Sequence, residues 1–214
     1  MTKAQARTRP SRKAEQSLET QDRLITAAKS LFATKGYAGT AMEDLVAKAG
    51  MTRGALYHQY ADKRDLFRAV FEVVQAELGQ HIAMSVGVET DPWAQLRAGA
   101  RAFLTHATTP AIRRIVLIDG PSVLGWEEWR RIDTQHSLGM VQAIFEMNVA
   151  AGNIVPQPIG PLAHLIVGAL NEAALAVASA DDVDAAREEF AVAMERVLDS
   201  FRLVAEQARR PAQR

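Results

Sequence analysis

The sequence of 214 residues contains no cysteine. This absence excludes disulfide bonds, thiolate zinc sites and thiol nucleophiles, and it permits a reducing cell interior. Aromatic residues are also few, at 6% of the chain, whereas hydrophobic residues of all kinds make up 48%. That is enough apolar material for one or two buried cores, so we expect a folded chain whose chemistry does not depend on thiols.

The sequence also lacks the kind of hydrophobic run that crosses a membrane. The longest stretch free of Lys, Arg, Asp and Glu, residues 147–171, contains three prolines and one histidine, an arrangement not expected of a membrane helix. Residues 1–16 hold five Lys and Arg with no apolar core after them, so they lack the middle third of a secretion signal. We therefore expect a cytoplasmic protein without a membrane segment, whose basic arm, residues 1–17, is disordered.

Neither sign of charge is in excess over the whole chain, because 25 Lys and Arg balance 25 Asp and Glu. The distribution is nevertheless uneven: residues 1–64 hold twelve Lys and Arg against six Asp and Glu, and residues 65–214 hold thirteen against nineteen. A basic N-terminal part with an acidic remainder is typical of a protein in which one module binds nucleic acid. The alternative is that these charges only lie on solvated helix faces.

Motifs of catalysis and metal binding are absent as well. The sequence has no Gly-rich phosphate loop, no Gly-x-Ser-x-Gly, no His-Glu-x-x-His and no calcium-loop spacing. His81, His106, His136 and His164 are far apart in sequence, and isolated histidines are more often surface or hydrogen-bonded core residues than ligands. We expect no enzyme activity, no cofactor and no metal.

Apolar residues recur at spacings of three and four along nearly the whole chain, which predicts an all-α fold. Thr40 and Glu43 are predicted to form a capping box at the start of the second helix, and Gly120-Pro121 is predicted to close the sixth. A proline-rich linker, residues 155–161, precedes the last two helices. The predicted helices are at about 18–35, 40–50, 52–60, 62–79 or beyond, 91–108, 110–120, 125–150, 160–180 and 182–207.

The segment from residue 40 to residue 60 is the most informative part of the chain. Two short helices joined by Gly50-Met51-Thr52, with apolar residues at Leu45 and Leu56, have the spacing of a helix-turn-helix. We expect Leu56 to pack beneath the second helix, and the polar residues of 52–59 to lie on its outer surface. Amphipathic helices with a glycine turn also occur in ordinary bundles, so spacing alone leaves both interpretations open.

Three segments carry a resemblance to a known family: residues 27–40 with LFATKGYAGT at their end, residues 45–60 (LVAKAGMTRGALYHQY) and residues 62–66 (DKRDL). Over roughly residues 18–70 the chain resembles the TetR family of transcriptional repressors. Val46-Ala47 stands where that family often has Ile-Ala, and Tyr60 where Phe is commoner. The resemblance implies an N-terminal three-helix helix-turn-helix DNA-binding domain, residues 18–64, and a C-terminal helical ligand-binding and dimerisation domain, residues 65–214.

Candidate DNA contacts follow from the resemblance and from residue chemistry. Thr52 and Arg53 begin the recognition helix, where base edges are reached, and arginine can hold a guanine bidentately. The family's phosphate contacts are matched by Thr40, Tyr57, His58 and Lys63, and Gly54 gives the backbone room to approach. The basic arm is a further candidate on its charge alone. Alternatively, Thr40 only caps its helix and Tyr57 is half-buried against the first helix. The candidates are Thr40, Thr52, Arg53, Gly54, Tyr57, His58 and Lys63.

The last two helices are the expected homodimer interface. The resemblance implies that they pair with those of a second subunit, and small side chains in one stripe would let a partner helix approach closely. The alternative is that the same stripes pack inside one subunit. The two stripes are Leu162, Ile166, Ala169, Ala173 and Ala176, followed by Phe190, Met194, Val197, Phe201 and Val204.

The resemblance also implies an effector pocket enclosed by helices four to eight. Aromatic walls with a few polar groups suit a ligand, although an aromatic stripe is also typical of plain core, or of a surface pair stacked beside Arg130. If Glu172 or Asp119 is buried and unpaired, a cationic ligand is favoured, because a desolvated carboxylate needs a counter-charge. The candidate ligand-binding residues are Phe103, His106, Trp126, Trp129, His136, Met140, Asn171 and Glu172.

The sequence therefore predicts a ligand-responsive transcriptional regulator that binds double-stranded DNA. The expected form is a homodimeric repressor on a palindromic operator, with recognition helices about 34 Å apart, released by a small-molecule effector through movement of the fourth helix. The first alternative is a helical small-molecule-binding protein without DNA function, and the second is an enzyme with an all-helical active site. Salt-titrated DNA binding distinguishes the regulator from the first alternative, and the enzyme would show turnover.

Overall fold

A computed structural model describes residues 12–209 of the chain and the side chains of residues 16–202. Residues 1–11 of the predicted disordered arm lie outside the described part of the chain, whereas its residues 12–17 are helical rather than disordered. Every regular element in the described part is helical, so the all-α prediction is confirmed. The α-helices are α1 (Arg12–Lys35), α2 (Met42–Ala49), α3 (Arg53–Gln59), α4 (Lys63–Gly87), α5 (Pro92–Ala107), α6 (Pro110–Ile112), α7 (Gly120–Leu124), α8 (Trp126–Ala150), α9 (Ile159–Ala178) and α10 (Val183–Arg209).

Most predicted helix boundaries lie within two or three residues of those observed, and α4, predicted to run to residue 79 or beyond, ends at Gly87. Two predictions differ from the structure. α1 begins at Arg12, earlier than the predicted residue 18. Gly120-Pro121 does not close a helix: α6 continues as a π-helical segment, Arg113–Asp119, and α7 follows directly. Pro121 lies in the first turn of α7, a position at which proline is common.

The predicted capping box at Thr40 is wrong. α2 is preceded by Ala41, whose side chain makes no capping hydrogen bond. The Thr40 side chain is buried, and its hydroxyl donates to the carbonyl oxygen of Gly36 at 2.8 Å. Glu43 instead forms an ion pair with Arg53 at 3.4 Å. Thr40 therefore stabilises the turn that follows α1.

The described chain forms two compact units, one ending at Val70 and the other beginning at Phe71, so α4 begins in the first unit and ends in the second. In the first unit, Gly50 has φ +62°, a left-handed conformation that glycine adopts without steric cost. The Gly50 and Met51 amides donate to α2 carbonyls, both at 3.2 Å. This turn joins α2 to α3. The fully buried core side chains of the unit are Leu24, Ala28, Phe32, Leu45, Leu56, Leu66, Phe67 and Val70.

The second unit packs the end of α4, α5 and the helices from α6 to α10 around Trp129 and Phe145, which have no exposed surface. The indole N–H of Trp129 donates to the carbonyl oxygen of Val116 at 2.8 Å. On the surface, Arg97 and Arg101 of α5 both pair with Glu195 of α10, at 2.6 and 2.8 Å. These contacts join elements that are distant in sequence.

One helix among the described residues, α9, is long and apolar enough to cross a membrane by length and composition alone. Ten of its residues are nevertheless buried in the bundle, where it packs against α5, α8 and α10. Such burial is typical of the core helix of a soluble-type fold. Pro158 precedes the helix and Pro161 lies in its first turn, where proline is tolerated.

Candidate nucleic-acid interface and ligand cavity

α3 presents a continuous outward face. Its N-cap is Thr52, whose hydroxyl oxygen accepts a hydrogen bond from the Ala55 amide at 3.2 Å, as expected of threonine at this position. One side of the helix is anchored by Leu56, which is fully buried as predicted. The residues of the opposite side are exposed: Thr52, Arg53, Gly54, Tyr57 and His58.

Arg53 lies between two partners on this face. Its guanidinium is 5.7 Å from the centroid of the Tyr57 ring and 3.4 Å from the Glu43 carboxylate of α2. Tyr57, followed by Glu43, raises the pKa of Arg53, so the group is a permanent cation. The side chains of Arg53 and Glu43 are both about two-thirds exposed, at 67% and 69%. An exposed ion pair is weak, so a phosphate or a base edge can compete for this guanidinium.

Tyr57 is 43% exposed, and its ring faces the Arg53 guanidinium. Gly54 has no atom within 4 Å of the position where a Cβ would lie. The backbone of α3 is therefore open to a large partner at this point.

Two of the predicted DNA contacts, Thr40 and Lys63, are not on α3. Thr40 lies in the turn after α1, and the side chain of Lys63, at the start of α4, reaches this turn. The Lys63 ammonium donates to the carbonyl oxygens of Thr40 and Tyr37, both at 2.9 Å, and lies 4.2 Å from the centroid of the Tyr37 ring. Burial, followed by the charge of Asp62, raises the pKa of the Tyr37 hydroxyl. Lys63 therefore holds the turn that carries Thr40, whereas the sequence predicted a solvated point charge.

A cavity lies within the second unit. It has a volume of about 750 Å³ including its opening to solvent, and its walls come from α4, α5, α8, α9 and Leu198 of α10. Four of the eight predicted ligand-binding residues line it: Phe103, His136, Met140 and Asn171.

The other four predicted residues are not among those that line the cavity. Trp129 is fully buried core, and Trp126, 59% exposed, stacks on it with ring centroids 5.0 Å apart. His106 stacks on His81, and Glu172 is exposed. Asp119, the other carboxylate considered, pairs with Arg114 at 3.2 Å. Neither Glu172 nor Asp119 is thus a buried carboxylate without a partner.

Asp133 is a cavity residue that the sequence analysis missed. It is 3% exposed, and its carboxylate accepts hydrogen bonds from the Asn171 amide at 2.6 Å and the Gln75 amide at 3.3 Å. Burial raises the pKa of Asp133 against the opposing effect of these hydrogen bonds. The signal was available, because Asp133 precedes His136 and Met140 at spacings of three and seven, on the same face of α8.

His81 and His106, separated by 25 positions in sequence, stack with ring centroids 4.7 Å apart and an interplanar angle of 12°. Burial, followed by the nearby His81, lowers the pKa of His106. The periodicity of one helix gives no information about contacts between α4 and α5. The stacking of these two histidines was therefore not predicted from the sequence. Within residues 12–209, no three His, Asp or Glu residues are grouped in a way that could hold a metal ion.

Comparison with known proteins gives a matching family profile in each of the two units. The family profile described as "Bacterial regulatory proteins, tetR family" matches residues 24–70, which include α2 and α3. The profile described as "Tetracyclin repressor-like, C-terminal domain" matches residues 93–201, about half of the chain.

Individual proteins agree with these profiles. The chain is similar to the transposon Tn10 TetC protein of Escherichia coli, with 24% identity over 70% of this chain and 75% of that protein. It is also similar to the HTH-type transcriptional regulator AcrR of Shigella flexneri, with 29% identity over 48% of each chain. The crystal structure of a TetR-family transcriptional regulator from Pectobacterium atrosepticum superposes with a TM-score of 0.79. It is 34% identical in sequence, over 91% of this chain and 97% of that one.

Proposed function

The chain belongs to the tetR family of bacterial regulatory proteins, and from that premise we propose that it is a homodimeric repressor that reads a palindromic operator with α3. Members of the family are transcriptional regulators that bind DNA, respond to small molecules and act as dimers. The chain is accordingly a DNA-binding, ligand-responsive regulator and not an enzyme. We further propose that it acts in the cytoplasm.

The observation that carries the proposal is the outward face of α3. Thr52 and Arg53 begin this helix, and the N-terminal end of a recognition helix is the part that reaches base edges in the major groove. We assign base reading to this pair and phosphate contacts to Tyr57 and His58. In the complex, a DNA group would replace Glu43 as the partner of Arg53.

We assign Lys63 a phosphate contact and Thr40 a supporting role. Two of the three N–H donors of the Lys63 ammonium bind carbonyl oxygens of the turn after α1. The third would reach a phosphate, and the carbonyl of Thr40 would hold the ammonium in place. Such a contact adds affinity without reading sequence.

The dimer is proposed to form through the outer faces of α9 and α10. Most of the predicted stripe in α9 is buried within one subunit, including Leu162, Ile166 and Ala173, and so is Met194 in α10; the side chain of Val204 lies outside the described residues. Apolar side chains also remain exposed on these helices: Val197 of the predicted α10 stripe at 45%, and, outside the two stripes, Leu165 at 70% and Val192 at 37%. A partner that covers them removes apolar surface from water, which favours association.

The cavity of the second unit is the proposed effector site. α4 supplies Leu78 and Ile82 to its wall and begins among the residues of the first unit. In one conformation of the dimer the two recognition helices would not fit two successive major grooves. An effector that binds this conformation more tightly would release the operator, and the size of the effect is set by the difference in its affinity for the two conformations.

The proposal is tested by selecting bound fragments from random DNA and then titrating variants on the recovered site. The recovered sequence should have two-fold symmetry. Arg53→Ala should lose discrimination at one base pair in each half-site, by about 1–3 kcal/mol. Lys63→Ala should weaken all sequences alike and reduce the slope of log affinity against log salt by about one.

Arg131→Ala is the matched control, because Arg131 is an exposed arginine of α8 in the second unit. It should leave both selectivity and salt slope unchanged. Equal, sequence-independent losses for the Arg53 and Lys63 variants would contradict the assignment of base reading. Absence of salt-dependent DNA binding by the wild type would favour the alternative of a small-molecule-binding protein.

A further inference from the structure

The cavity of the second unit has a mainly apolar wall with few ionisable groups. Most of its described lining residues are apolar, and they include no lysine or arginine. The ionisable residues among them are Asp133 and His136. An apolar cavity that contains one buried carboxyl group fixes the orientation of a ligand through that group.

The hydrogen bonds of Asp133 do not neutralise its charge. Both donors, Asn171 and Gln75, are neutral amides, and a carboxylate has about four acceptor sites. Asp133 therefore retains capacity for a further donor in a place where a charge is costly without a counter-charge.

The cationic groups near Asp133 are only partial counter-charges. Arg130 and His136 both act to lower the pKa of Asp133, but less than burial raises it. The guanidinium of Arg130 also lies 3.4 Å from the ring nitrogen Nε2 of His164. Neither residue makes a hydrogen bond with the Asp133 carboxylate, whose recorded donors are Asn171 and Gln75.

We infer that the cavity takes an apolar molecule carrying one protonated amine, with the ammonium donating a hydrogen bond to Asp133 and the apolar body lying against the remaining wall. This inference rests on the proposed function, in which the cavity is the effector site. The ammonium supplies a counter-charge beyond the partial ones of Arg130 and His136, and Phe103 is an aromatic residue of the cavity wall. Carboxylate ligands are excluded by repulsion from Asp133.

Three probes of nearly equal shape test the charge preference: phenethylamine, phenethyl alcohol and phenylacetate. Their dissociation constants are measured by calorimetry with the full chain at neutral pH, where the amine is protonated. The amine should bind about tenfold more tightly than the alcohol, because a charge-assisted bond replaces a neutral one. Phenylacetate should bind most weakly. This order is read on the wild type, so it does not depend on how any variant folds.

The variant Asp133→Asn then tests whether Asp133 causes the preference for the amine, because it keeps the shape of the side chain and removes its charge. It should weaken binding of the amine about tenfold and that of the alcohol less than about threefold. The matched control is Glu146→Gln, an acid-to-amide change at an exposed position on the same helix, which should change neither. Preserved helicity and thermal unfolding of both variants accompany the measurement.

The outcomes separate the inference from the proposed function. Equal binding of amine and alcohol, preference for phenylacetate, or an unchanged preference in Asp133→Asn would overturn the ligand class while leaving the cavity as the effector site. Failure of all three probes to bind, in a protein that still binds its operator, would overturn both the ligand class and the cavity as the site for such ligands. Failure to bind DNA while the amine preference is retained would contradict the repressor and support the inference.

Discussion

Asp133 links the protonation of one buried side chain to the stability of the second unit. In an unfolded chain an aspartic acid titrates near pH 3.9, whereas burial raises the pKa of Asp133 in the folded protein. Between these two pKa values the folded protein binds more protons at this site than the unfolded chain does. The free energy of unfolding contributed by Asp133 therefore falls as pH rises through this interval.

We expect Asp133→Asn to gain stability relative to the wild type as pH rises from about 4, because the variant has no group to ionise at this position. The measurement is the free energy of unfolding by denaturant at several pH values, taken without ligand. A constant offset between variant and wild type is compatible with altered hydrogen bonds to Asn171, so the slope is the diagnostic quantity. Glu146→Gln serves as the control, and a difference that shrinks with rising pH would contradict the expectation.

At the residue scale, the sequence predicted the burial or exposure of a side chain where this depends only on the side chain's own helix. The exposed positions of α3 and the buried Leu56 agree with the periodicity of that segment. Asp133, the stacked histidines and the inward hydroxyl of Thr40 depend instead on contacts between elements. Helical spacing gives the face on which a residue lies, but it does not give the element that the face meets, so these contacts could not be predicted.

At the scale of elements, the region from α6 to α7 departs most from the sequence prediction. The π-helical segment inserts a wider turn before Gly120, and α7 follows without a break. Gly120 is buried where a Cβ would lie 2.9 Å from the ring of Phe71 and 2.9 Å from that of Trp129. Both rings are fully buried. The glycine is required here by close packing and not by a turn.

Gly120→Ala is expected to destabilise the second unit by about 1–3 kcal/mol, because the added methyl group overpacks two rings that have no space to move into. The matched control is Gly139→Ala in α8, where a Cβ would have no atom within 4 Å and alanine should stabilise the helix by up to about 1 kcal/mol. Denaturant unfolding followed by tryptophan fluorescence measures both. Equal effects of the two substitutions would show that close packing at Gly120 is not the cause.

The ends of elements were predicted where local chemistry determines them. Asp91 caps α5 through its carboxylate, which accepts from the Ala94 amide at 3.0 Å, and Gly50 ends α2 in the left-handed conformation. The Gly120-Pro121 pair was misjudged, because a proline in a first helical turn and one after a helix end have the same local sequence signals. The packing of Gly120 under Trp129 distinguishes them, and that packing involves residues nine positions apart.

At the scale of the whole molecule, the main question is which surface joins two subunits. Most of the apolar stripe predicted in α9 is buried in the core of one subunit, whereas Val197 of the α10 stripe is exposed. Leu165 of α9 and Val192 of α10 are exposed apolar residues outside these stripes. Two helix faces from each subunit can form a four-helix interface in which apolar surface is removed from water.

Leu165→Glu is expected to weaken the dimer by about tenfold or more, because it introduces a charge on the proposed interface face of α9, where Leu165 is 70% exposed in the single subunit. Val88→Glu makes the same change at a residue that is 80% exposed and lies outside α9 and α10, so it should leave the dimer intact. Sedimentation across a range of protein concentrations measures both. Since two linked recognition helices bind a palindrome more tightly than one, the Leu165 variant should also lose operator affinity at low protein concentration. Dimerisation unaffected by Leu165→Glu would place the interface elsewhere, without changing the assignment of α3 to the operator.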